Sequence, residues 1–273
     1  SNNQWPSGPQ NIDNSCRFDD GSSDSLTRTS GTPTNSDICT FSVWFKLGAD
    51  VTANDIFIFG EYTDVNNYFG LSKKDNGRLQ FFQYDGGSLI FNVQPNRLFR
   101  DHSAFYHVVV AYDSSQSTSS NRVKMYINGE QVTSFNASTY PSQNADIRFN
   151  TNNQSIKIGQ QNSNLYWDGY MAEVVFIDGQ ALDPTSFGET DSTTGIWKPK
   201  KIGQFASSGD NSFYLNFKDS SNLGKDESGL GNNFTVNNLT SIDQTTDTCV
   251  ENFATLNPLV TLSGGTLSEA NLK

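Results

Sequence analysis

Three groups of residues in this sequence combine an aromatic ring with carboxylate or amide side chains a few positions away. Such a group can bind a saccharide, because a flat ring packs on the apolar face of a sugar while amides and carboxylates bond its hydroxyls. Each group falls in or beside a predicted loop, where binding residues commonly lie. The candidate binding residues are Tyr62 with Asp64 and Asn67, Tyr84 with Asp85, and Tyr166 and Trp167 with Asp168. For Trp167, packing at the rim of the core is the alternative interpretation.

Residue spacing argues against the common catalytic arrangements. A retaining glycosidase places two carboxyl groups close together on one sugar, and no two glutamates here lie within five positions of each other. A mechanism based on aspartates stays open. His102 and His107 are the two histidines, and His107 is predicted to be a hydrogen-bonded structural residue. The chain has no Gly-x-Ser-x-Gly nucleophile motif, and two histidines with three scattered cysteines argue against a zinc site.

The segment 219–233 is the best candidate for a metal-binding loop. Asp219, Asp226 and Asn232 offer oxygen atoms, which are the ligands that calcium prefers. The alternative is an Asp/Ser/Gly-rich turn whose carboxylates accept bonds from backbone N–H groups. We favour the turn and expect no cofactor, with calcium as the lesser alternative.

Composition limits the partners. The chain has 273 residues, of which 17% are charged, and a net charge of -11. An acidic surface repels phosphate groups, so neither nucleic acid nor a membrane is an expected partner. The odd cysteine count leaves at least one thiol unpaired. Three buried thiols are favoured, and a pair between Cys16 and Cys39 is the alternative.

The elements that must position the candidate residues are predicted to be short strands. Segments 106–113 and 122–127 are the strongest, because in the second of them apolar and polar residues alternate with the two-residue period of a strand. Asn128 and Gly129 then favour a type I′ turn, because both tolerate positive φ. The apolar set is Val123, Met125 and Ile127, and the polar-facing set is Arg122, Lys124 and Tyr126.

Other segments extend this pattern. Segments 16–19 and 25–29 are predicted to pair as the first two strands. Segment 39–46 places Phe41, Val43 and Phe45 on one face and Trp44 on the other. Further strands are predicted at 56–59, 68–71, 78–84, 89–93, 155–159, 213–217 and 234–236.

Segment 169–177 is apolar on both faces, which predicts a strand between two layers. Its predicted faces are Tyr170, Ala172, Val174 and Phe176 on one side, and Met171, Val175 and Ile177 on the other, with Glu173 interrupting the second set. No segment has a sustained helical period, although Asp183 and Pro184 favour one helical turn. The sequence therefore predicts an all-β fold, an antiparallel two-sheet β-sandwich or jelly roll.

Several of these segments together resemble a known family. They are 40–46 (Thr-Phe-Ser-Val-Trp-Phe-Lys), 106–110 (Tyr-His-Val-Val-Val), the Asn128-Gly129 hairpin, 168–174 (Asp-Gly-Tyr-Met-Ala-Glu-Val) and 177–182 (Ile-Asp-Gly-Gln-Ala-Leu). They resemble laminin G-like and pentraxin-like domains of the concanavalin A-like lectin/glucanase superfamily, in particular those carried by tailed-phage structural proteins of marine phages. The run 217–258 is similar to the same group. The resemblance implies recognition of carbohydrate or protein surfaces, or virion architecture.

We therefore predict one laminin G-like sandwich over residues 16–256, an N-terminal arm or linker at 1–15, and a C-terminal linker or further region from 257–273. The predicted function is that of a non-enzymatic virion surface protein: a tail fibre, spike or capsid-surface component that recognises host-surface glycans. Its expected partners are host carbohydrate and other virion subunits, with a homo-oligomer as one form of assembly. The alternatives are a purely architectural virion protein, a polysaccharide depolymerase and a secreted cellular lectin.

Overall fold

The computed structural model describes residues 12–48, 54–202 and 209–252. Within these residues the chain is built almost entirely from strands, with four single turns of 3-10 helix at Ser119–Asn121, Arg148–Asn150, Pro184–Ser186 and Ser241–Asp243. The strands are β1 (Ser15–Phe18), β2 (Ser25–Thr29), β3 (Ile38–Leu47), β4 (Ile56–Asp64), β5 (Asn67–Lys73), β6 (Leu79–Asp85), β7 (Ser88–Pro95), β8 (Tyr106–Asp113), β9 (Val123–Ile127), β10 (Glu130–Gln131), β11 (Phe135–Thr139), β12 (Ser155–Ile158), β13 (Gly169–Asp178), β14 (Gly188–Thr190), β15 (Trp197–Pro199), β16 (Phe213–Leu215), β17 (Thr235–Asn237) and β18 (Gln244–Thr245).

These strands form two large antiparallel sheets, which confirms the predicted all-β sandwich. Sheet one has the order β10-β9-β8-β3-β13-β1-β18, with β16 also paired to β13. Sheet two has the order β11-β7-β6-β5-β4-β12-β2-β17, and β14 and β15 form a separate hairpin. No helix in the described part of the chain is long and apolar enough to cross a membrane.

The core lies between the two sheets and is rich in phenylalanine. Alternation along β3 turns Phe41, Val43 and Phe45 into this core while Trp44 points out of it, as predicted. Phe41 lies at the centre, within 5.0–5.6 Å between ring centroids of Phe59, Phe69, Phe81, Phe149 and Phe176.

The two strongest predicted strands are confirmed, and so is the turn after the second of them, which joins β9 to β10. β8 pairs with β9, and the apolar residues of β9 enter the core. Asn128 and Gly129 have φ values of 49° and 83°, the left-handed conformation that a type I′ turn requires. The helical turn predicted at residue 183 is also present, with the Asp183 side chain accepting a bond from the Thr185 backbone N–H at 2.8 Å.

The predicted pairing of the first two strands is wrong. β1 pairs with β13 and β18 in sheet one, whereas β2 pairs with β12 and β17 in sheet two. The chain changes sheets between Phe18 and Ser25, so each strand takes partners from distant parts of the sequence. Alternation within a strand shows which side chains are apolar but carries no information about which strand lies alongside.

The predicted faces of β13 are also wrong in one respect. Met171 faces the inter-sheet core together with Val174 and Phe176, while Ala172 lies on the outer side. The change of phase occurs at Glu173, which has a φ of 50° and lies where the register with β3 shifts. A bulge residue of this kind shifts the alternation by one position. The prediction that both faces of this strand are covered is correct.

The C-terminal strands complete both sheets, since β16 and β18 join sheet one and β17 joins sheet two. Of the predicted N-terminal arm, residues 12–15 are described: Ile12 is buried and Ser15 begins β1. The predicted linker at 257–273 lies outside the described residues, and the domain limits stay predictions.

Cys16, Cys39 and Cys249 are free thiols, the first two fully buried.

Candidate functional site

An open row of tyrosines crosses the outer face of sheet two. Register places Tyr62 of β4 opposite Tyr68 of β5, and Tyr68 opposite Tyr84 of β6. The rings of Tyr68 and Tyr84 stack at 4.8 Å and 15°, and that of Tyr62 lies 6.3 Å from Tyr68. All three side chains are partly exposed. Burial, followed by the neighbouring tyrosines, raises the pKa of Tyr68, so its hydroxyl stays protonated at neutral pH.

Two phenylalanines form a floor next to this row. Phe82 lies beside Tyr68 at 5.8 Å between ring centroids, and Phe57 lies 6.1 Å from Phe82. Both rings are nearly buried and lie over Gly70, where any side chain would overlap them. We call these five residues the aromatic face: Phe57, Tyr62, Tyr68, Phe82 and Tyr84. Its rings surround a shallow depression with a volume of about 410 Å³.

A chain of hydrogen-bonded amides continues the aromatic face toward β11, and we call it the amide ladder. Asn92 Oδ1 accepts bonds from Gln80 Nε2 at 3.0 Å and from Gln94 Nε2 at 3.2 Å. Gln94 in turn accepts from Asn136 Nδ2 at 3.2 Å. Each primary amide has two N–H donors and one acceptor oxygen, so these bonds use part of its capacity. The ladder therefore offers donors beside an aromatic surface.

The rim of the depression is made by a loop and two chain turns. Residues 160–165 fold over Gly60, where a side chain would overlap the Gln160 carbonyl, and the Gln161 side chain donates to the Phe69 carbonyl at 3.2 Å. Asp55 and Lys74 pair at 3.0 Å beyond Phe57. Val65, 75% exposed, lies in the turn beyond Tyr62.

The predicted acids Asp64 and Asp85 lie in the hairpin turns next to the tyrosine row. Asp64 accepts bonds from the Asn67 side chain at 2.9 and 3.0 Å and from the Asn66 backbone at 2.8 Å. These bonds, the Asn67 side chain first, lower the pKa of Asp64. Asn67 also accepts from the Gly86 N–H at 2.9 Å, which ties the two hairpin turns together.

A buried ion pair supports the same turns from below. Glu61 is fully buried and accepts from Arg148 Nε at 2.8 Å and Nη2 at 3.3 Å. Arg148 Nη1 reaches the exposed Asp85 at 3.0 Å. The Asp85 carboxylate is therefore an ion-pair partner on the surface.

The third predicted group does not join the site. Tyr166 is partly buried and pairs with Gln160 through an isolated β-bridge, and it does not line the depression. Trp167 is fully buried in the core, edge-on to Phe45 at 5.5 Å. It cannot stack on a saccharide, because the alternation that leads into β13 turns its ring inward. The alternative interpretation, packing in the core, is correct for Trp167.

The loop at 219–233 is held by its own side chains. The Asp226 carboxylate accepts bonds from the backbone N–H groups of Tyr214, Ser228 and Asn232. Asp219 accepts from the turn that follows it. Among the residues that the structure describes, no cluster of three His, Cys, Asp or Glu side chains is arranged to hold a metal ion. These hydrogen bonds are the ones expected of the alternative interpretation, a turn whose carboxylates accept bonds from backbone N–H groups.

The outer face of sheet one carries a second row of rings, which we call the aromatic stack: Trp44, His107 and Trp197. His107 stacks on Trp44 at 4.5 Å and 12°, and its Nδ1 accepts from Trp197 Nε1 at 2.9 Å. Its Nε2 lies 2.9 Å from Ser42 Oγ. Because an indole N–H only donates, the proton of His107 is on Nε2 and points to Ser42. Burial lowers the pKa of His107 to about 3. Both ring nitrogens are thus bonded inside the protein, which is the hydrogen-bonded structural role that the sequence predicted for His107.

Sequence reasoning placed Tyr62 and Tyr84 in separate groups and missed Tyr68, Phe57 and Phe82. The sequence does contain a pattern that points to them: in β5 and β6, Tyr68, Phe82 and Tyr84 alternate with the core residues and therefore lie on the outer face of the sheet. This pattern does not reveal a shared row until the register between the strands is known, because only the pairing of β4, β5 and β6 brings these positions side by side.

Comparison with known families agrees with this architecture. The laminin G family model described as the concanavalin A-like lectin/glucanases superfamily matches residues 20–186. The chain belongs to this family. No curated protein is significantly similar to it in sequence.

Solved structures with a similar fold are distant. A native heptameric SAP-like pentraxin from Limulus polyphemus is 17% identical with a TM-score of 0.46, and the match covers 63% of this chain and 79% of the pentraxin. Domains LG4-5 of the mouse laminin alpha1 chain are 14% identical, with a TM-score of 0.40 and coverages of 66% and 46%. Tailspike protein 2 from Escherichia coli O157:H7 bacteriophage CAB120 is 12% identical, with a TM-score of 0.42 and coverages of 68% and 26%. This chain thus spans about a quarter of that tailspike.

Proposed function

We propose that the protein is a non-catalytic glycan-binding module and that the aromatic face is its binding surface. The observation that carries the proposal is the open row of Tyr62, Tyr68 and Tyr84 beside the amide ladder. Stacked rings offer an apolar platform for the C–H face of a sugar, and amides and tyrosine hydroxyls bond its hydroxyl groups.

Leaving these aromatic rings exposed to water is unfavourable for the folded protein. This cost is a further argument that the surface binds a ligand. Aromatic rings arranged together on an outer sheet face lose contact with water wherever a ligand covers them, so the surface gains stability by binding. The depression is wide and shallow and lies across the strands rather than in a deep pocket. Such a shape suits a chain of sugar rings that lies flat on the sheet.

The setting that we propose for this module is the surface of a tailed-phage virion, as part of a tail fibre, spike or capsid-surface protein that contacts host glycans. The support for this setting is the resemblance of segments 40–46, 106–110 and 168–182 to phage structural proteins. Other virion subunits are its proposed partners there, and attachment to a host is its proposed task.

Binding to a glycan array, compared between the wild type and Tyr84→Ala, tests the function. Loss of one stacking ring is expected to weaken binding about tenfold. The matched control is Tyr126→Ala, which removes a partly buried tyrosine from the outer side of sheet one. Thermal unfolding of each variant shows that the fold is kept.

Two results would contradict the proposal. Equal losses in both variants would place the binding surface elsewhere or reflect a general loss of structure. Absence of binding by the wild type to the array and to host cells would favour the architectural alternative, in which the sandwich joins other virion subunits.

A further inference from the structure

The charges around the depression bear on which saccharides it accepts. Among its described lining residues, the charged side chains are Asp55 and Lys74, and Lys74 Nζ lies 3.0 Å from Asp55 Oδ2. Asp55 Oδ1 accepts from the backbone N–H of Asp75 at 3.2 Å. The positive charge at this rim is therefore already compensated by a carboxylate that the backbone holds in place.

Two further cations, Lys157 on the outer side of sheet two and Arg148 on its inner side beneath the hairpin turns, also have protein partners. Lys157 lies opposite Gly60, and its Nζ donates to the Gln161 carbonyl at 2.7 Å. Arg148 is bonded to both Glu61 and Asp85. An anionic sugar would therefore compete with these protein acceptors for the same cations.

The exposed charges nearest the tyrosine row are negative. Asp64 is exposed, the Asp85 side chain is 56% exposed, and the whole chain carries a net charge of -11. A carboxylated or sulfated sugar would be repelled by this field and would lose hydration without gaining a cation partner. The hydroxyls of an uncharged sugar match the amide ladder and the tyrosine hydroxyls without that cost.

We propose that the aromatic face selects neutral saccharides against carboxylated and sulfated ones. This specificity rests on the proposed function of the same face. Its physical basis is the bonding of Lys74, Lys157 and Arg148 to protein acceptors, together with the acidic hairpin turns that flank the tyrosine row.

The test uses an array that carries neutral, sialylated and sulfated forms of the same glycan cores, together with dextran and dextran sulfate in affinity electrophoresis. We expect the neutral forms to bind at least about tenfold more tightly than acidic forms of the same core. Binding to the neutral forms is expected to change little between low and high salt, since no ion pair is formed.

If acidic forms bound preferentially and Tyr84→Ala abolished that binding, the proposed specificity would be overturned while the glycan site would be upheld. Silence across the array, or binding that Tyr84→Ala leaves intact, would overturn the proposed function itself.

A charge variant tests the cause. Asp55→Asn leaves Lys74 without its carboxylate partner, so binding of dextran sulfate and of sulfated glycans is expected to rise about threefold and to fall again with added salt. Asp75→Asn is the matched control, because it removes the same charge nearby without releasing Lys74. Equal behaviour of the two variants would show that the paired cation does not set the specificity.

Discussion

The outer faces of the two sheets carry similar rows of aromatic rings, but they differ in whether a later segment of the chain covers them. On sheet one Trp44 and His107 are covered by Trp197 of the β14–β15 hairpin, and the Trp197 ring fills the space over Gly129 and Gly188 where side chains would overlap it. On sheet two, among the described residues, the tyrosine row is bordered by the loop at 160–165 along one side and is otherwise open. The comparison shows that a row of aromatic residues on a sheet face is buried or stays open according to whether a later segment covers it.

The polar atoms of the two rows differ in the same way. In the aromatic stack, both ring nitrogens of His107 are used by Ser42 and Trp197. In the aromatic face, the tyrosines lie beside amides that keep unused donors, and the acids lie at the exposed hairpin turns. A covered face must satisfy its polar groups internally, whereas an open face can keep them for a ligand.

The largest effect is expected from the ion pair that supports the open face. Arg148→Met leaves Glu61 buried without its partner and is expected to lower the free energy of unfolding by about 3–5 kcal/mol, measured by urea denaturation. The double variant Glu61→Leu, Arg148→Met removes both charges and should recover most of that loss. A small loss in the single variant would show that the hairpin turns do not depend on this pair.

The covered face predicts the next effect. Trp197→Ala removes the ring that packs over Gly129 and Gly188 and bonds His107, so we expect a loss of about 3 kcal/mol in unfolding free energy. Glycan binding by the folded variant should be unchanged, because the two faces are on opposite sides of the sandwich. Weaker glycan binding with intact stability would reverse the roles of the two faces.

The burial of Glu173 in sheet one predicts that the stability of the protein depends on pH. Glu173 accepts a bond from the Tyr214 hydroxyl at 2.6 Å, and burial raises its pKa to about 7. A carboxyl whose pKa is raised by folding stabilises the protein below its unfolded pKa, and that contribution is lost as the pH rises toward 7 and beyond. Glu173→Gln is therefore expected to gain roughly 2–3 kcal/mol over the wild type at pH 8 and nearly nothing at pH 4, in urea denaturation at each pH. An equal difference at both pH values would show that Glu173 does not titrate in this range.

A smaller effect on stability is expected from the open row. Tyr84 is partly exposed and contacts mainly Tyr68, so Tyr84→Ala should change the unfolding free energy by less than about 1 kcal/mol. Trp44→Ala on the covered face is the paired variant and should cost several times more, since Trp44 is 4% exposed. Similar costs for both would remove the distinction between the faces.

The smallest effect is expected from chelation. Asp226 already accepts three backbone N–H bonds inside the 219–233 loop, so we expect the unfolding midpoint to be the same with and without a calcium chelator. Differential scanning calorimetry measures this midpoint. A clear decrease with chelator would establish the calcium alternative.

Local patterns in the sequence predicted the parts of the fold that depend on near neighbours. The two-residue period of β9 fixed its buried face, and Asn128 with Gly129 fixed the turn, because both depend on backbone preferences within a few residues. Tyr62 and Tyr84 were chosen as candidates from their positions next to turns, and their role stays a prediction. Their placement in one row was not predicted, because it depends on Tyr68 from the intervening strand.

The errors share one cause. The pairing of β1 with β13, the change of phase at Glu173 and the inward position of Trp167 all depend on contacts between distant segments. A bulge adds one residue without any unusual residue type, so alternation alone cannot locate it. A tryptophan before a turn can point to either side until the strand that follows is placed in its sheet.

The sequence by itself determined that this chain is an acidic, all-β sandwich, which faces of β3 and β9 are buried, and which aromatic residues lie beside turns. These features follow from side-chain period, turn chemistry and net charge, which act locally or over the whole composition. Only the tertiary structure decided that Tyr62, Tyr68 and Tyr84 form one open row while Trp44 and His107 are covered by Trp197. The physical reason is that strand register and the path of later segments are set by burial of apolar surface across the whole chain, which no single segment encodes.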